Sequence, residues 1–495
     1  MVEIDPNIGA SRSLLIGGSW HHGSGDPLTS TDPATGETNA VLSTGSAQDV
    51  DLAVRTARDA LGQSRWAELL PHRRADHLHA IARLLNDRAE PLARIVMHEN
   101  GKTLTECRQQ VRGAAGIFRY YAALCETVGS DVTPPRGEYL SFTVCEPMGV
   151  VAAITPWNSP VNLAAEKLAP ALAAGNAVVL KPSELTSIVS LEVGKLCTEA
   201  GLPNGLVNVL PGTAQTSAAL VRHPGINMIS FTGGTTAGRA IATAAAERIV
   251  PVVLELGGKS PNIVMDDADL PLAAAGVAAG IFGSLGQSCI AGSRLFVHES
   301  IRERFVSMLI EIARGLRVGP PDAATTQIGP LASFPHRERV DRLVTGARAE
   351  GGRILVGGSS PAGASFSKGA YYLPTIIDQL DNALSTCQSE IFGPVLCVLP
   401  FADEADLVRQ ANDTIYGLAC GVWSRDFAKA WRVARQVQAG TVWINTYRQN
   451  SVSTPFGGVK QSGIGRERGV QGLRQYQQIK SVFVGTTGAP LTFDR

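Results

Sequence analysis

The 495-residue chain lacks an excess of either charge: Lys and Arg total 44, Asp and Glu total 44, and like charges never run for more than a few residues. Without a basic stripe there is no electrostatic footprint for nucleic acid, and polyanionic partners are not expected. Long apolar runs are missing too. The least polar stretch, Leu270 to Phe282, is short for a membrane span and consists largely of Ala and Gly, so a buried core helix is expected there. Met1 to Pro6 has neither a basic nor an apolar region, which argues against a secretory signal. The eight cysteines, at 107, 125, 145, 197, 289, 387, 397 and 420, include no C-x-x-C pair and no closely spaced framework. They suit free thiols in a reducing cytoplasm. Nine histidines are also dispersed, with no H-E-x-x-H and no metal-ligand spacing. No metal is expected, and His77 and His79 are expected on a helix surface. The fingerprint G-x-G-x-x-G is absent as well, so that motif gives no claim to a dinucleotide.

What is present is ample apolar material, 44% of residues, in a chain long enough for roughly three domains. Leu14 to Trp20 sets two apolar pieces around a Gly-Gly pair, a hairpin signal that implies a small N-terminal sheet element. Ser46 to Asp49 resembles a capping box, and Val50, Ala53, Val54, Ala57 and Leu61 follow at helical spacing, predicting a helix from about Val50 to Gln63. Further helical periods cover Pro71 to Asp87, Glu90 to Glu99 and Leu104 to Cys125, with Asn100-Gly101 as a stop. Tyr139 to Glu146 alternates polar and apolar residues as a half-exposed strand would.

From Met148 to Asp267, strands alternate with helices: 150–155, 177–181, 206–210, 228–232, 252–256 and 262–265. Strands apolar throughout and joined by helices indicate a doubly wound parallel sheet, which binds ligands at its carboxyl ends. A second α/β unit runs from Arg294 to Asn445. The end of the chain holds a glycine-rich turn system, Pro455 to Glu467, and an exposed-looking strand, Ile479 to Gly485, of the kind that invites subunit pairing.

Cys289, in Gly286-Gln-Ser-Cys289, is the candidate nucleophile, because thiolate is reactive near neutral pH and the flanking glycines give little cover. A small buried hydrophobe is the plainer alternative. Glu255 ends an apolar strand, where a carboxylate is either used or simply faces solvent. Asn158 lies beyond the first sheet strand, with Pro160 suited to the first turn of the next helix. Its amide could donate to a developing oxyanion or only satisfy the turn.

Taken in order, Pro156-Trp-Asn158, Lys181-Pro-Ser-Glu184, Phe231-Thr-Gly233, Glu255-Leu-Gly-Gly-Lys259, Gly286-Gln-Ser-Cys289, Glu390-Ile-Phe-Gly-Pro394 and Pro455-Phe-Gly-Gly458 make the chain resemble the aldehyde dehydrogenase superfamily over nearly its whole length. The resemblance implies an α/β fold with a Rossmann-type parallel-sheet cofactor domain (1–124 and 146–256) and an α/β catalytic domain (257–460). It also implies a small β oligomerisation arm (125–145 and 477–495), a return segment (461–476), and assembly as a homodimer or homotetramer.

It further implies that Cys289 attacks the aldehyde to give a thiohemiacetal whose oxyanion Asn158 holds, and that Glu255 activates the water that hydrolyses the resulting thioester. Lys167 and Glu467 match a proton path around that glutamate, although a helix lysine and a loop glutamate are commonly surface residues. NAD is the implied cofactor. Lys181, Ser183 and Glu184 would meet the adenine ribose, and Glu184 would repel a 2′-phosphate, disfavouring NADP. Thr155, Pro156, Trp157, Gly233, Gly234, Leu256 and Gly257 match the pyrophosphate side and its surroundings, while Glu390 and Phe392 match the nicotinamide side. Gly234 departs from the commoner family pattern, which has a serine there.

Ser159, Asn162, Leu163, Glu166, Ser288, Ile290, Arg448, Asn450 and Phe456 correspond to the aldehyde tunnel. That lining is polar, which points to a semialdehyde carboxylate read by Arg448, to an aminoaldehyde facing Glu166, or to Glu166 and Arg448 paired with each other. Two other functions compete: a CoA-acylating semialdehyde dehydrogenase, disfavoured by Glu255, and a silent scaffold, disfavoured by Cys289, Glu255 and Asn158 together. A cysteine hydrolase would need a histidine partner that the motif lacks.

Overall fold

The computed structural model describes residues 13–487. The reading of Met1 to Pro6 and the last eight residues of the expected arm therefore lie outside the described residues. Two sheets, each with its own apolar core, are built around the chain's crossing at Leu256–Ser260. One core gathers residues from Leu14 to Leu256 together with Leu473 and Tyr476, and the other gathers residues from Ile263 to Tyr447.

The first sheet is parallel at its centre. Val252–Glu255, Met228–Thr232, Val150–Ile154, Ala177–Lys181 and Val207–Val209 lie side by side in that order. Val150–Ile154, Ala177–Lys181 and Met228–Thr232 are buried at every residue, as strands covered on both faces must be. Its edges differ from the expected all-parallel sheet. The hairpin Leu14–Ile16/Ser19–His21 is no separate element but adds antiparallel to Val207–Val209 through Leu15, while Gly463–Ile464 adds antiparallel to Val252–Glu255. Gly463 is needed there, since a Cβ would lie 2.2 Å from the Leu254 carbonyl.

The second sheet runs Arg353–Val356, Thr375–Asp378, Val395–Phe401, Arg294–His298, Pro261–Val264, Ala419–Trp423, Thr441–Ile444, parallel except at its first pair. Pro261–Val264, grouped by sequence with the strands before it, is thus a central strand of this sheet. Only the short crossing Leu256–Ser260 separates it from Val252–Glu255 of the other sheet, so apolar pattern alone does not show the change of partner.

The helices follow their caps. Ala47–Ser64 starts on a capping box from Ser46 to Asp49, and Leu104–Thr127 on one from Thr103 to Glu106. Leu270–Phe282 is a helix as expected but buries only one face in the second core, with Pro271, Leu272, Ala275 and Ala279 exposed, and among the described residues no helix is long and apolar enough to cross a membrane. The terminal strand Gln477–Gly485 is not unpaired. It runs antiparallel to Tyr139–Pro147 in a three-stranded sheet completed by Val132–Thr133, with Ile479, Phe483 and Val484 exposed.

Candidate active site

Where the two sheets meet, a cavity of about 800 Å³ opens over the carboxyl ends of the first sheet's strands. Asn158, Gly233, Glu255, Ser288, Cys289, Glu390 and Glu467 all line it, although they come from segments far apart in the chain. The Gly257-Gly258 turn lets the walls close. A Cβ on Gly257 would lie 2.5 Å from Glu390 Oε2, and one on Gly258 would lie 2.3 Å from the Cys289 carbonyl.

Cys289 follows a short turn after helix Leu270–Phe282. Gln287 holds that turn, its Oε1 accepting from Ala332 N at 2.9 Å and its carbonyl accepting from Asn158 Nδ2 at 3.1 Å. An amide nitrogen carries two N–H groups, so Asn158 braces the loop with one and keeps a second for the cavity. Burial pushes the Cys289 thiol up to about 12, with the carboxylates of Glu390 and Glu255 adding to the effect. At neutral pH the resting group is the thiol, and a base must take its proton.

Glu255 is buried, and neither carboxylate oxygen has a hydrogen-bond partner among the described residues. Burial first, then the neighbouring Glu467 carboxylate, raise its pKa well above the ordinary carboxylate range, while Lys167 opposes them. Beside it the helix Pro160–Ala173 and the return segment are cross-linked by two ion pairs. Lys167 Nζ meets Glu467 Oε1 at 2.7 Å, and Arg468 Nη2 meets Glu166 Oε1 at 2.6 Å. Lys167 also donates to Ser230 Oγ at 3.0 Å, as does the Tyr476 hydroxyl. Lys167 and Glu467 are both almost fully buried, not surface residues. Arg468 reaches Asn450 Oδ1 at 3.1 Å and lies 5.0 Å over the Phe456 ring. Its backbone (φ 62°, ψ 171°) occupies a region that favours glycine, which the ion pair to Glu166 must offset.

Away from these groups, the strand ends hold polar atoms with nothing to bond. Thr155 and Thr232 hydroxyls are buried without partners among the described residues, and helix Thr235–Ala246 begins at Gly234 with no side-chain cap. A Cβ on Gly234 would meet nothing within 4 Å. Lys181 is buried at its strand end, 3.8 Å from the half-exposed Glu184, and Ser183 Oγ lies 3.4 Å from Glu184 Oε2. Unsatisfied hydroxyls, an open helix N-terminus, and a cation and a carboxylate a short way off are the donor set that a dinucleotide requires. The residues present therefore fit such a group. At the other end Glu390 accepts from Gly258 N at 3.1 Å, and burial pushes its carboxyl up to about 7. Trp157, His336 and Phe392 form an edge-to-face cluster, with Trp157 5.2 Å from His336 and 5.3 Å from Phe392. Burial lowers His336 to about 4, so the ring is neutral and donates through Nε2 to the Phe392 carbonyl at 2.7 Å.

A family model described as the aldehyde dehydrogenase family matches residues 20–482. The chain belongs to that family. Solved structures agree over the whole fold. A putative aldehyde dehydrogenase from Burkholderia cenocepacia is 37% identical, with 98% of this chain and 100% of that chain covered and a TM-score of 0.95. Betaine aldehyde dehydrogenase from Staphylococcus aureus, solved in complex with NAD+, is 36% identical over 98% and 97% of the two chains, with a TM-score of 0.95. A point mutant of an aldehyde dehydrogenase from Bacillus cereus is 37% identical over 98% and 100%, with a TM-score of 0.94.

Within this aldehyde dehydrogenase the residues singled out from sequence fall into three places. Pro156, Trp157, Gly233, Gly234, Leu256, Gly257, Glu390 and Phe392 line the cavity with Ser159, Asn162, Leu163, Glu166, Ser288, Ile290, Arg448, Asn450 and Phe456. Lys167 stands behind Glu467, outside the lining, and Thr155, Lys181, Ser183 and Glu184 lie further along the strand ends. The pairing of Glu166 with Arg448 is not found. Glu166 pairs with Arg468, and Arg448 donates to the Gly283 carbonyl at 2.6 Å and to Ser284 Oγ at 3.2 Å. Sequence reading missed Lys102, Glu106, Ser284, His336, Arg339 and Arg468, all in the lining. Arg468 had one available signal, its position next to Glu467. His336 and Arg339 had none, since they sit on a helix whose pattern is merely amphipathic.

Proposed function

We propose that this chain oxidises an aldehyde to the free carboxylic acid with NAD, carrying the acyl group on Cys289. The observation that carries the reading is a thiol and a buried, unpartnered carboxylate lining one cavity, with a free amide N–H of Asn158 at its side. Cys289 attacks the aldehyde carbon as its thiol proton passes to water in the cavity, and Glu255, without a competing partner among the described residues, is left as the base for the later hydrolysis. The oxyanion that forms is held by the second N–H of Asn158. Thr155, Lys181, Glu184 and the N-terminus of helix Thr235–Ala246 would hold NAD, with Glu390 and Phe392 beside it, and the bound cofactor would supply the hydride acceptor for oxidation of the Cys289 adduct. Glu255 then deprotonates the water that releases the acid, and Lys167–Glu467 gives that proton a buried onward partner. An ionisable carboxylate at this place supports hydrolysis over transfer to CoA.

For the substrate we infer a polar aldehyde that carries no cation. Glu166 is already neutralised by Arg468, and Arg468 covers the Phe456 ring that would otherwise face a quaternary ammonium such as betaine aldehyde. The terminal strand Gln477–Gly485 is an edge strand of its sheet, and that open edge with the exposed Ile479 and Phe483 supports assembly through the arm.

The test is to mix the protein, NAD and equal-length neutral, anionic and cationic aldehydes, with and without CoA, and follow absorbance of the reduced nicotinamide. Turnover without CoA, poorest for the cationic aldehyde, is expected. Strict CoA dependence would replace hydrolysis with acyl transfer, and a preference for the cationic aldehyde would reverse the substrate reading.

A further inference from the structure

Between Phe282 and Cys289 the backbone takes an unfavourable path. Ser284 (φ 54°, ψ 28°), Leu285 (φ 53°, ψ 34°) and Gly286 (φ 63°) are left-handed in succession. Gly286 adopts this freely, and a Cβ there would lie 2.0 Å from the Gly393 carbonyl. Serine and leucine have no such freedom, because their Cβ crowds the backbone in this region. Consecutive residues stay there only where their surroundings over-determine them.

Two side chains do so. Glu106 Oε1 accepts from both Ser284 N and Ser284 Oγ at 3.0 Å. Its other oxygen is tied to Thr103 N and Oγ1 at 3.3 and 3.0 Å, so the carboxylate is fixed to the start of helix Leu104–Thr127. Arg448 donates to the Gly283 carbonyl and to Ser284 Oγ. The turn then feeds the nucleophile directly, since Gln287 N donates to the Ser284 carbonyl at 3.0 Å. Leu285 completes the fixation by packing into the second core.

The geometry points to Glu106 and Arg448 as positioning residues that clamp the Gly283–Gly286 turn in its left-handed form and so aim Cys289 into the cavity. The role rests on Cys289 being the nucleophile. It also replaces the reading of Arg448 as the group that recognises a substrate carboxylate, because its guanidinium is committed to the turn. Glu106 thus serves two structures at once, capping its own helix and holding a loop 178 residues away.

The test uses Glu106→Gln, Arg448→Met and Arg448→Lys in the full chain, each checked for fold by circular dichroism and thermal unfolding. Alkylation of Cys289 by iodoacetamide is followed by peptide mass spectrometry without aldehyde or NAD, and kcat and KM are measured for a neutral and an anionic aldehyde of equal length. Glu106→Gln and Arg448→Met are expected to slow alkylation and kcat by about tenfold for both aldehydes, with KM nearly constant, and Arg448→Lys to recover part of the loss. Normal alkylation in both variants would overturn the clamp. So would a rise in KM for the anionic aldehyde alone at unchanged kcat in Arg448→Met, which would return Arg448 to the substrate. If the parent enzyme turns over no aldehyde, the proposed reaction falls, while the alkylation rates still decide whether the turn is clamped.

Discussion

The two reactive ends of the cavity are held by different physics. Around Glu255 the wall is made of charge, with Glu166–Arg468 and Lys167–Glu467 crossing between one helix and the returning chain. Around Cys289 it is made of backbone, a left-handed turn fixed by hydrogen bonds to Ser284. Charge acts over distance and through net balance, so the carboxylate end should respond to any uncompensated charge nearby. A turn acts by contact, so the thiol end should respond to the loss of a specific bond. The comparison teaches which kind of variant probes which half of the reaction.

The largest expected effects remove the reacting groups themselves. Cys289→Ala should abolish aldehyde oxidation, measured as reduced nicotinamide, while binding of NAD by Trp fluorescence is retained. Glu255→Gln should keep acylation and lose its base for hydrolysis. A burst of about one reduced nicotinamide per site followed by slow turnover is therefore expected. Undiminished steady-state turnover in Glu255→Gln would show that the two ends do not divide the reaction as drawn.

Next in size is the stability of the charged wall. Lys167 and Glu467 are both almost fully buried, so Lys167→Met strands a carboxylate in a dry site. A cost of about 3–5 kcal/mol is expected for breaking one side of such a pair. The double variant Lys167→Met/Glu467→Leu should recover much of it, read as the denaturant midpoint. A double variant no more stable than Lys167→Met would mean that the loss is one of shape and not of charge.

The same contrast explains what the sequence could disclose. The parallel strands, most helices and the capping box at Ser46 are local patterns, and they were legible as such. Glu255, Asn158 and Cys289 were legible because each sits in a distinctive short motif. The charged wall was half legible: Glu166, Lys167 and Glu467 stood out, but the partner of Glu166 did not, because Arg468 reaches it from 302 residues away. The clamp was invisible for the same reason. Glu106 lies in the first turn of a helix with no local sign of a distant partner, and nothing local to Ser284 and Leu285 announces a left-handed turn, since neither is a residue that prefers it. His336 and Arg339 gain their place only when their helix packs over Glu390–Phe392.

A smaller effect separates charge from shape at the carboxylate end. Glu255 must be ionised to act as a base, and its raised pKa makes turnover climb with pH above the ordinary carboxylate range. The groups facing it are Glu467 and Glu166, which raise its pKa, and Lys167 and Arg466, which lower it. Arg468→Met leaves Glu166 uncompensated and should move the rising limb of the kcat–pH profile upward by about one unit, whereas Glu166→Gln should move it downward. The double variant should return toward the parent. Limbs that move in the same direction in both single variants would exclude charge balance as the cause.

The smallest effect lies outside both ends. Lys181 and Glu184 stand 3.8 Å apart, with the Glu184 side chain 53% exposed, so solvent screens the pair and it contributes about 0–1 kcal/mol to stability. Glu184→Ala should leave the unfolding midpoint nearly unchanged. Its consequence should appear instead in the choice of cofactor, because a carboxylate at the ribose repels a 2′-phosphate. An exposed side chain can turn away from that phosphate, which limits the gain in kcat/KM with NADP relative to NAD to about threefold to tenfold. Raising the salt concentration should shrink the parent enzyme's own preference, since the repulsion is screened where a buried one would not be. A preference that is strong, insensitive to salt and unchanged in Glu184→Ala would place the discrimination on shape at the strand ends, and the contrast between charge and contact would then extend to the cofactor side.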